Sequence, residues 1–176
     1  MKKFMRILAA VLIVCTLLCT VSCGKEETDV PSGMQKASDD ANEYILYVPE
    51  DWKVDKSTLY TSAYYSSGDA TSISVTAYGL TIGDETLDNW WLGMSEQLNT
   101  VYTDITETVE EDAVLGGIYG KKFTFSATLN GQQYNYIIIA VIKDYYVYYM
   151  TYTSTPDYYE NHLTELDEVV ENFVFK

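Results

Sequence analysis

A layered α/β fold, with helices packed over a central and mostly antiparallel sheet, is the fold class this sequence predicts. Three observations carry the prediction. The stretch Tyr134–Thr153, YNYIIIAVIKDYYVYYMTYT, is rich in β-branched and aromatic residues, and only Lys143 and Asp144 break it near its middle. Two segments, 87–101 and 159–173, instead carry apolar residues at helical spacing. Ser67-Gly68-Asp69 and Asn130-Gly131 are hairpin turns by composition, and they join strands that are close in sequence.

The Tyr134–Thr153 stretch reads as a hairpin turning at Lys143-Asp144. Along its first strand Tyr134, Tyr136, Ile138, Ala140 and Ile142 point one way, and Ile137, Ile139 and Val141 the other. A strand apolar on both faces belongs in the middle of a sheet covered on both sides.

The chain opens with Lys2, Lys3 and Arg6, then runs uncharged from Ile7 to Ser22 and reaches Cys23. That run is shorter than the roughly 20 residues of a spanning helix. Its basic-then-apolar order is that of a secretory signal. Thr20-Val21-Ser22-Cys23-Gly24 is similar to a bacterial lipobox, with Ser22 fitting the pattern better than Thr20. Residues 1–22 are therefore read as a lipoprotein signal peptide and Cys23 as the lipidated residue. An ordinary signal peptide or an uncleaved anchor, with Cys23 incidental, is the alternative. All three cysteines (Cys15, Cys19, Cys23) lie at or before this junction, so the downstream chain has no thiol for a disulfide, a metal or a nucleophile.

Residues 23–42 read as the lipidated cysteine and a disordered tether, because Gly24 to Asn42 has almost no large apolar residues. Such a segment spans about 25 Å root-mean-square. Residues 43–176 then form a single globular domain, long enough to bury a core without disulfides.

Within it, Tyr44 to Val48 reads as a strand closed by Pro49, with Trp52 returning to the core. Leu59–Ser66 and Thr71–Leu80 flank the Ser67-Gly68-Asp69 turn, with Ile73, Val75 and Ala77 inward. Leu87, Trp90, Trp91, Met94, Leu98 and Val101 predict a helix over 87–101, capped by Asp84 or Thr86. Asp104–Ala113 is acidic and reads as an edge strand. Gly116, Gly117 and Gly120 mark a turn. Phe123, Phe125, Ala127 and Leu129 alternate with polar residues up to Asn130-Gly131. Thr155-Pro156-Asp157 has the composition of a helix start, and Tyr159, Leu163, Leu166, Val170 and Phe173 form the stripe that follows.

Without Lys2, Lys3 and Arg6 the chain has 8 basic and 26 acidic residues, a charge of −18, and no arginine. That excludes nucleic acid as a natural partner, since its phosphates are neutralised by Lys and Arg. Direct docking on anionic lipid is disfavoured for the same reason.

Tyr44-Ile45-Leu46-Tyr47-Val48-Pro49-Glu50-Asp51-Trp52, the glycine turn at Gly116–Gly120, the long paired strands, the Tyr-rich strand and the closing Asn172-Phe173-Val174-Phe175 resemble PsbP-like and DcrB-like proteins. The resemblance covers nearly the whole domain. It implies an α-β-α sandwich around a mostly antiparallel sheet, here about six to seven strands and two main helices. It also implies a small extracytoplasmic lipoprotein that acts as an accessory or assembly protein without catalysis. The metal- and photosystem-contacting residues of the plant members have no counterpart to carry over.

The chemistry-bearing residues point the same way. His162, the only histidine, falls beside the apolar stripe and reads as a solvated helix residue rather than a base or ligand. No Ser sits in a G-x-S-x-G elbow. Gly116–Lys122 is one residue short of a phosphate loop, with Lys122 where Ser or Thr is required. Glu107, Glu110, Glu111 and Asp112 lack the spacing of a calcium loop and read as a solvated acidic edge. Trp90 and Trp91 fall in the helix's core phase rather than on a sugar-stacking surface. No cofactor, metal or catalytic residue is assigned.

Two functions remain at this level. One is a lipid-anchored, extracytoplasmic accessory protein that binds a protein or envelope component. The other is a small hydrolase using a carboxylate pair on an extracellular polymer. The first is preferred, because usable His and Cys are lacking. Its candidate surface is Tyr145, Tyr146, Tyr148, Tyr149 and Tyr152. A sheet of about six strands is near 29 Å wide, so one helix of about 10 to 12 Å per face leaves part of it bare. The competing expectation is that the tether, the 104–117 segment or the C-terminal residues cover the gap.

Overall fold

The computed structural model describes residues 29–56, 60–81 and 86–176. In chain order its strands are β1 (Met34–Lys36), β2 (Tyr44–Ile45), β3 (Tyr47–Pro49), β4 (Lys53–Asp55), β5 (Thr61–Tyr64) and β6 (Ser72–Gly79). Helix α1 (Leu87–Val101) comes next, then β7 (Val109–Leu115), β8 (Ile118–Leu129), β9 (Gln132–Lys143) and β10 (Tyr146–Ser154). A 3-10 turn (Tyr159–His162), helix α2 (Leu163–Glu171) and β11 (Val174–Phe175) end the chain.

The seven-stranded sheet has the order β4-β5-β6-β10-β9-β8-β7, with every pair antiparallel. The apolar hairpin β9–β10 lies at its centre, where its two-faced pattern requires cover on both sides. Ile138, Ala140 and Val147 face α1 and meet Trp90, Phe123, Phe125 and Tyr136 in one core. Ile137, Ile139 and Val141 face α2 and join Leu46, Val48, Trp52, Ile73, Met150, Leu166 and Val169 in the other. Thr86 caps α1 as predicted, its side chain accepting from the Asn89 N–H. Asn130 and Gly131 take φ of 52° and 82°, the turn that this dipeptide favours.

Gly120 is required for close approach. A Cβ there would lie 2.0 Å from the Ala140 carbonyl oxygen and 2.6 Å from Val141 Cγ1. Gly120→Ala is expected to cost about 3 kcal/mol, the upper end for overpacking. An unchanged midpoint in urea would show that β8 and β9 can separate there at no cost.

Four expectations need correction. Residues 34–42 are not wholly tether: β1 pairs with β3, and Met34, Ala37 and Ser38 are buried. Met34 supplies the one large apolar side chain, and Gln35 ties the strand down by donating to the carbonyls of Pro49, Glu50 and Trp52. Second, Tyr44 to Val48 is not one strand of the main sheet. Leu46 interrupts it, β2 pairs with β11, and β3 pairs with β1. Third, the turn of the central hairpin is Asp144-Tyr145, since Lys143 pairs with Tyr146. Fourth, Thr155–Asp157 starts a turn and not the helix: the Tyr158 and Tyr159 N–H groups donate to the Thr155 carbonyl, and α2 begins at Leu163.

Candidate functional site

Cys23, the segment read as a signal peptide, Leu59 and Asp84 lie outside the described residues. The five candidate tyrosines separate by strand phase and turn position. Tyr148 (6 % exposed) and Tyr152 (0 %) point from β10 to the α2 face and are core. The two ribbons β1–β3 and β2–β11 lie over that face, so the N-terminal and C-terminal segments cover the gap that one helix leaves. Tyr148 packs on Tyr44 and Phe175, and the Tyr152 hydroxyl donates to the Tyr159 carbonyl at 2.7 Å. Burial raises both phenol pKa values. Tyr149 is half-buried on the opposite face, its ring 5.2 Å from Trp90. Tyr148 and Tyr152 cannot serve as a contact surface without unpacking the domain.

Tyr145 and Tyr146 are exposed, and the structure adds Tyr78 and Tyr119, which periodicity had not singled out. Tyr119 is 87 % exposed and Tyr145 86 %. Their convergence comes from register. Val114 pairs with Tyr119, and Ile142 with Val147, which pairs with Tyr78. Val114, Tyr119, Ile142, Val147 and Tyr78 face the α1 side, near the Asp144-Tyr145 tip, whereas Tyr146 at the same end faces the α2 side with Tyr148. Asp144 and Tyr145 have φ of 50° and 65°, so a bulky residue sits where Gly is preferred. A residue other than Gly in that conformation carries a backbone cost of about 1 to 3 kcal/mol.

Charge is balanced locally at this end. Lys143 pairs with Asp144, and Lys121 with both Asp88 and Glu110. Hydrogen bonds to Asp88 and Glu110 push the Lys121 pKa up to about 12. In a chain of charge −15, this is where a neutral aromatic surface meets neutralised side chains.

His162 corrects the sequence expectation. It is 6 % exposed, because its spacing of four and seven from Leu166 and Val169 puts it on the buried stripe. Its Nε2 lies 2.9 Å from Asp69 Oδ2, and its Nδ1 contacts Glu165 Oε2. Asp69 also accepts from the Thr71 N–H at 3.0 Å and the Thr71 hydroxyl at 2.6 Å, and Thr71 Oγ1 lies 2.7 Å from Ser154 Oγ. Trp52 and Tyr65 wall the imidazole at centroid distances of 5.7 and 4.4 Å. With both ring nitrogens engaged and the ring buried, His162 ties the β5–β6 turn to α2 rather than presenting a base to a substrate.

Two recesses among the described residues bear on a ligand. One, of about 290 Å³, lies between α1 and the 105–108 segment and has Glu107 as its single carboxylate. The other, of about 90 Å³, has Asp39 and Asp55. No group of three or more His, Cys, Asp or Glu suited to a metal ion occurs among the described residues. No helix among them is long and apolar enough to cross a membrane.

No family model and no curated protein matches this chain. Solved structures do. Cyanobacterial PsbP from Synechocystis sp. PCC 6803 superposes with a TM-score of 0.58 at 12 % identity, covering 88 % of this chain and 99 % of that one. PA94 of Pseudomonas aeruginosa, described as a putative regulator of unknown function, gives 0.53 at 14 %, covering 81 % and 97 %. LpqN of Mycobacterium tuberculosis, described as involved in cell envelope biogenesis, gives 0.59 at 16 %, covering 81 % and 91 %. At such identities the likeness establishes architecture, and with the antiparallel seven-stranded sheet between helices it shows that this chain has the PsbP-like fold.

Proposed function

We propose that this chain is a lipid-anchored, extracytoplasmic accessory protein without catalytic activity, held through Cys23, that binds a protein partner of the cell envelope. The observation carrying this reading is where the exposed tyrosines sit relative to where the chain enters the domain. Gly33 and Met34 lie beside Glu50 and Pro49, at the end of the sheet where Lys53, Tyr64, Ser72 and Thr153 form one row. Tyr146 is seven residues further along β10 from Thr153, about 24 Å away at roughly 3.4 Å per residue. A domain tethered at the first end presents Tyr78, Tyr119, Tyr145 and Tyr146 away from the membrane. Amphipathic rings at charge-neutralised positions suit a protein interface, where Tyr is enriched and charge depleted. The likeness to LpqN, described as involved in cell envelope biogenesis, supports the same setting.

The test uses the full-length chain captured with cross-linked partners from its own envelope. Tyr145→Gly places the residue that the turn prefers, so the double variant Tyr145→Gly/Tyr119→Ala is expected to stay within about 0.5 kcal/mol of the parent stability. It should lose about tenfold in partner capture, as removal of one hot-spot side chain does. Undiminished capture would move the binding surface elsewhere. Fatty-acid labelling that survives Cys23→Ala would remove the anchor from the reading.

A further inference from the structure

We infer that the cleft between α1 and the 105–108 segment is a binding site for a small organic cation of the alkylammonium class. The cleft is half open to solvent and has a volume of about 290 Å³, just under the usual range of small-molecule sites. Trp91 and Leu98 of α1, Phe125 of β8 and Ile105 give it an apolar lining, and Asn99 and Glu107 stand at its rim.

The walls are fixed before any ligand arrives. The Trp91 ring stacks on Phe123, with centroids 4.0 Å apart and planes 8° from parallel, and packs against Phe125 at 6.0 Å. On the other side Thr103 and Thr128 exchange both backbone hydrogen bonds, at 3.0 and 2.7 Å. The Thr106 N–H donates to the Ser126 carbonyl at 2.9 Å, and the Ser126 N–H donates to Thr106 Oγ1 at 2.9 Å. A site held open in this way does not spend binding energy on ordering itself.

Its polar groups suit a donor rather than an acceptor. Ser95 Oγ donates to the Leu92 carbonyl and Asn99 Nδ2 to the Ser95 carbonyl, at 2.8 and 2.9 Å. Those donors are thus already engaged within the helix. Glu107 is the one charged residue lining the cleft, and no lysine lines it. Glu110 and Glu111, its neighbours along the edge, are neutralised by Lys121 and Lys122, whereas no ion pair among the described residues includes Glu107. An unneutralised carboxylate and an indole that line the same cleft can attract a cation through both the charge and the ring quadrupole. The acidic surface raises the local cation concentration further, and an anionic ligand would meet no counter-charge. This site is separate from the tyrosine end and does not depend on it.

Titration calorimetry on the full-length chain tests the assignment with choline and n-butylammonium as probes. 3,3-Dimethylbutan-1-ol serves as the uncharged isostere of choline. Saturable binding of at least one cation is expected at millimolar concentration or below, with the isostere roughly tenfold weaker, as loss of a cation–π contact implies. Glu107→Gln, at an exposed position that should not disturb folding, is expected to weaken the cation about threefold, the range of an exposed ion pair. Trp91→Leu should weaken it about tenfold. Equal binding of the isostere would reduce the site to an apolar crevice. An unchanged constant in Glu107→Gln, or no saturable heat with either cation, would overturn the proposal. A lysine-bearing peptide that binds far more tightly than both free cations would reassign the cleft to a protein partner.

Discussion

Replacing Trp52 by alanine is expected to cost about 3 to 5 kcal/mol, the range for truncating a fully buried aromatic. Typical domains have about 5 to 15 kcal/mol in total, so this one change should bring the fold close to its limit. Trp52 is 2 % exposed and packs edge-on against Tyr65 and His162. Its backbone is also committed: the N–H donates to the Pro49 carbonyl at 3.1 Å, and its carbonyl accepts from Gln35 at 2.7 Å. The side chain therefore sits where β1, β3, β4 and α2 converge, and a cavity there has no single element free to collapse into it. The indole Nε1–H is buried without an acceptor among the described residues. Trp52→Phe removes that unpaired donor and keeps most of the apolar surface, so it should cost less than half as much. Urea unfolding monitored by circular dichroism measures both. A loss of only a few tenths of a kcal/mol for Trp52→Ala would mean the residue is not the anchor described here.

Asp69→Ala is expected to cost about 3 kcal/mol, because it leaves buried donors without their acceptor and His162 with Glu165 as its one remaining carboxylate. It removes the acceptor of the His162 Nε2–H and of the Thr71 N–H, while the Thr71 hydroxyl keeps Ser154 Oγ as a partner at 2.7 Å. Stability should also depend on pH, with a sign fixed by two opposed shifts. For Asp69, burial opposes ionisation, but hydrogen bonds from Thr71 and His162 outweigh it and hold the carboxyl below its ordinary 3.8. For His162, burial opposes the charge, but Glu165 and Asp69 outweigh it and lift the imidazole above its ordinary 6.5. The Asp69 contribution is present above the unfolded value near 3.8 and is lost as pH falls through the lower folded value. The His162 contribution is complete below 6.5 and is lost as pH rises through the higher folded value. Stability from this cluster is therefore greatest between about pH 4 and 6.5. The parent protein should lose stability from pH 6 toward pH 9, and His162→Gln should flatten that decline. A parallel decline in the variant would show that His162 is not protonated in the fold.

The sheet's centre, helix α1 and its Thr86 cap, the Asn130-Gly131 hairpin and the buried role of Trp52 were legible in the sequence. Each rests on a local pattern: two-faced apolar alternation, a 3.6-residue period, or a turn dipeptide whose φ angles are set by its own chemistry. Local patterns are weaker at the ends of elements. Thr155-Pro156-Asp157 has the composition of a helix start, yet a 3-10 turn intervenes and moves the start of α2 to Leu163. That shift puts His162 on the packed stripe, where two carboxylates compensate its burial. One of them, Asp69, is 93 residues away in the chain, a pairing that no local pattern encodes.

Tertiary structure alone decided which tyrosines are surface. Tyr146 and Tyr148 lie on the same face of the same strand, and one is half-exposed while the other is 6 % exposed. Strand alternation cannot separate them. The difference is that Tyr44 and Phe175, both backed by Phe173, close over Tyr148 when β2 pairs with β11 and the two ends of the domain meet. Tyr119 and Tyr78 join Tyr145 only because the β6-β10-β9-β8 register brings them to one end of the sheet. Composition determined that this chain would be a Tyr-rich, acidic, sheet-centred domain without thiols. Long-range pairing, which stabilises contacts that no segment can form alone, determined which of those rings meet solvent.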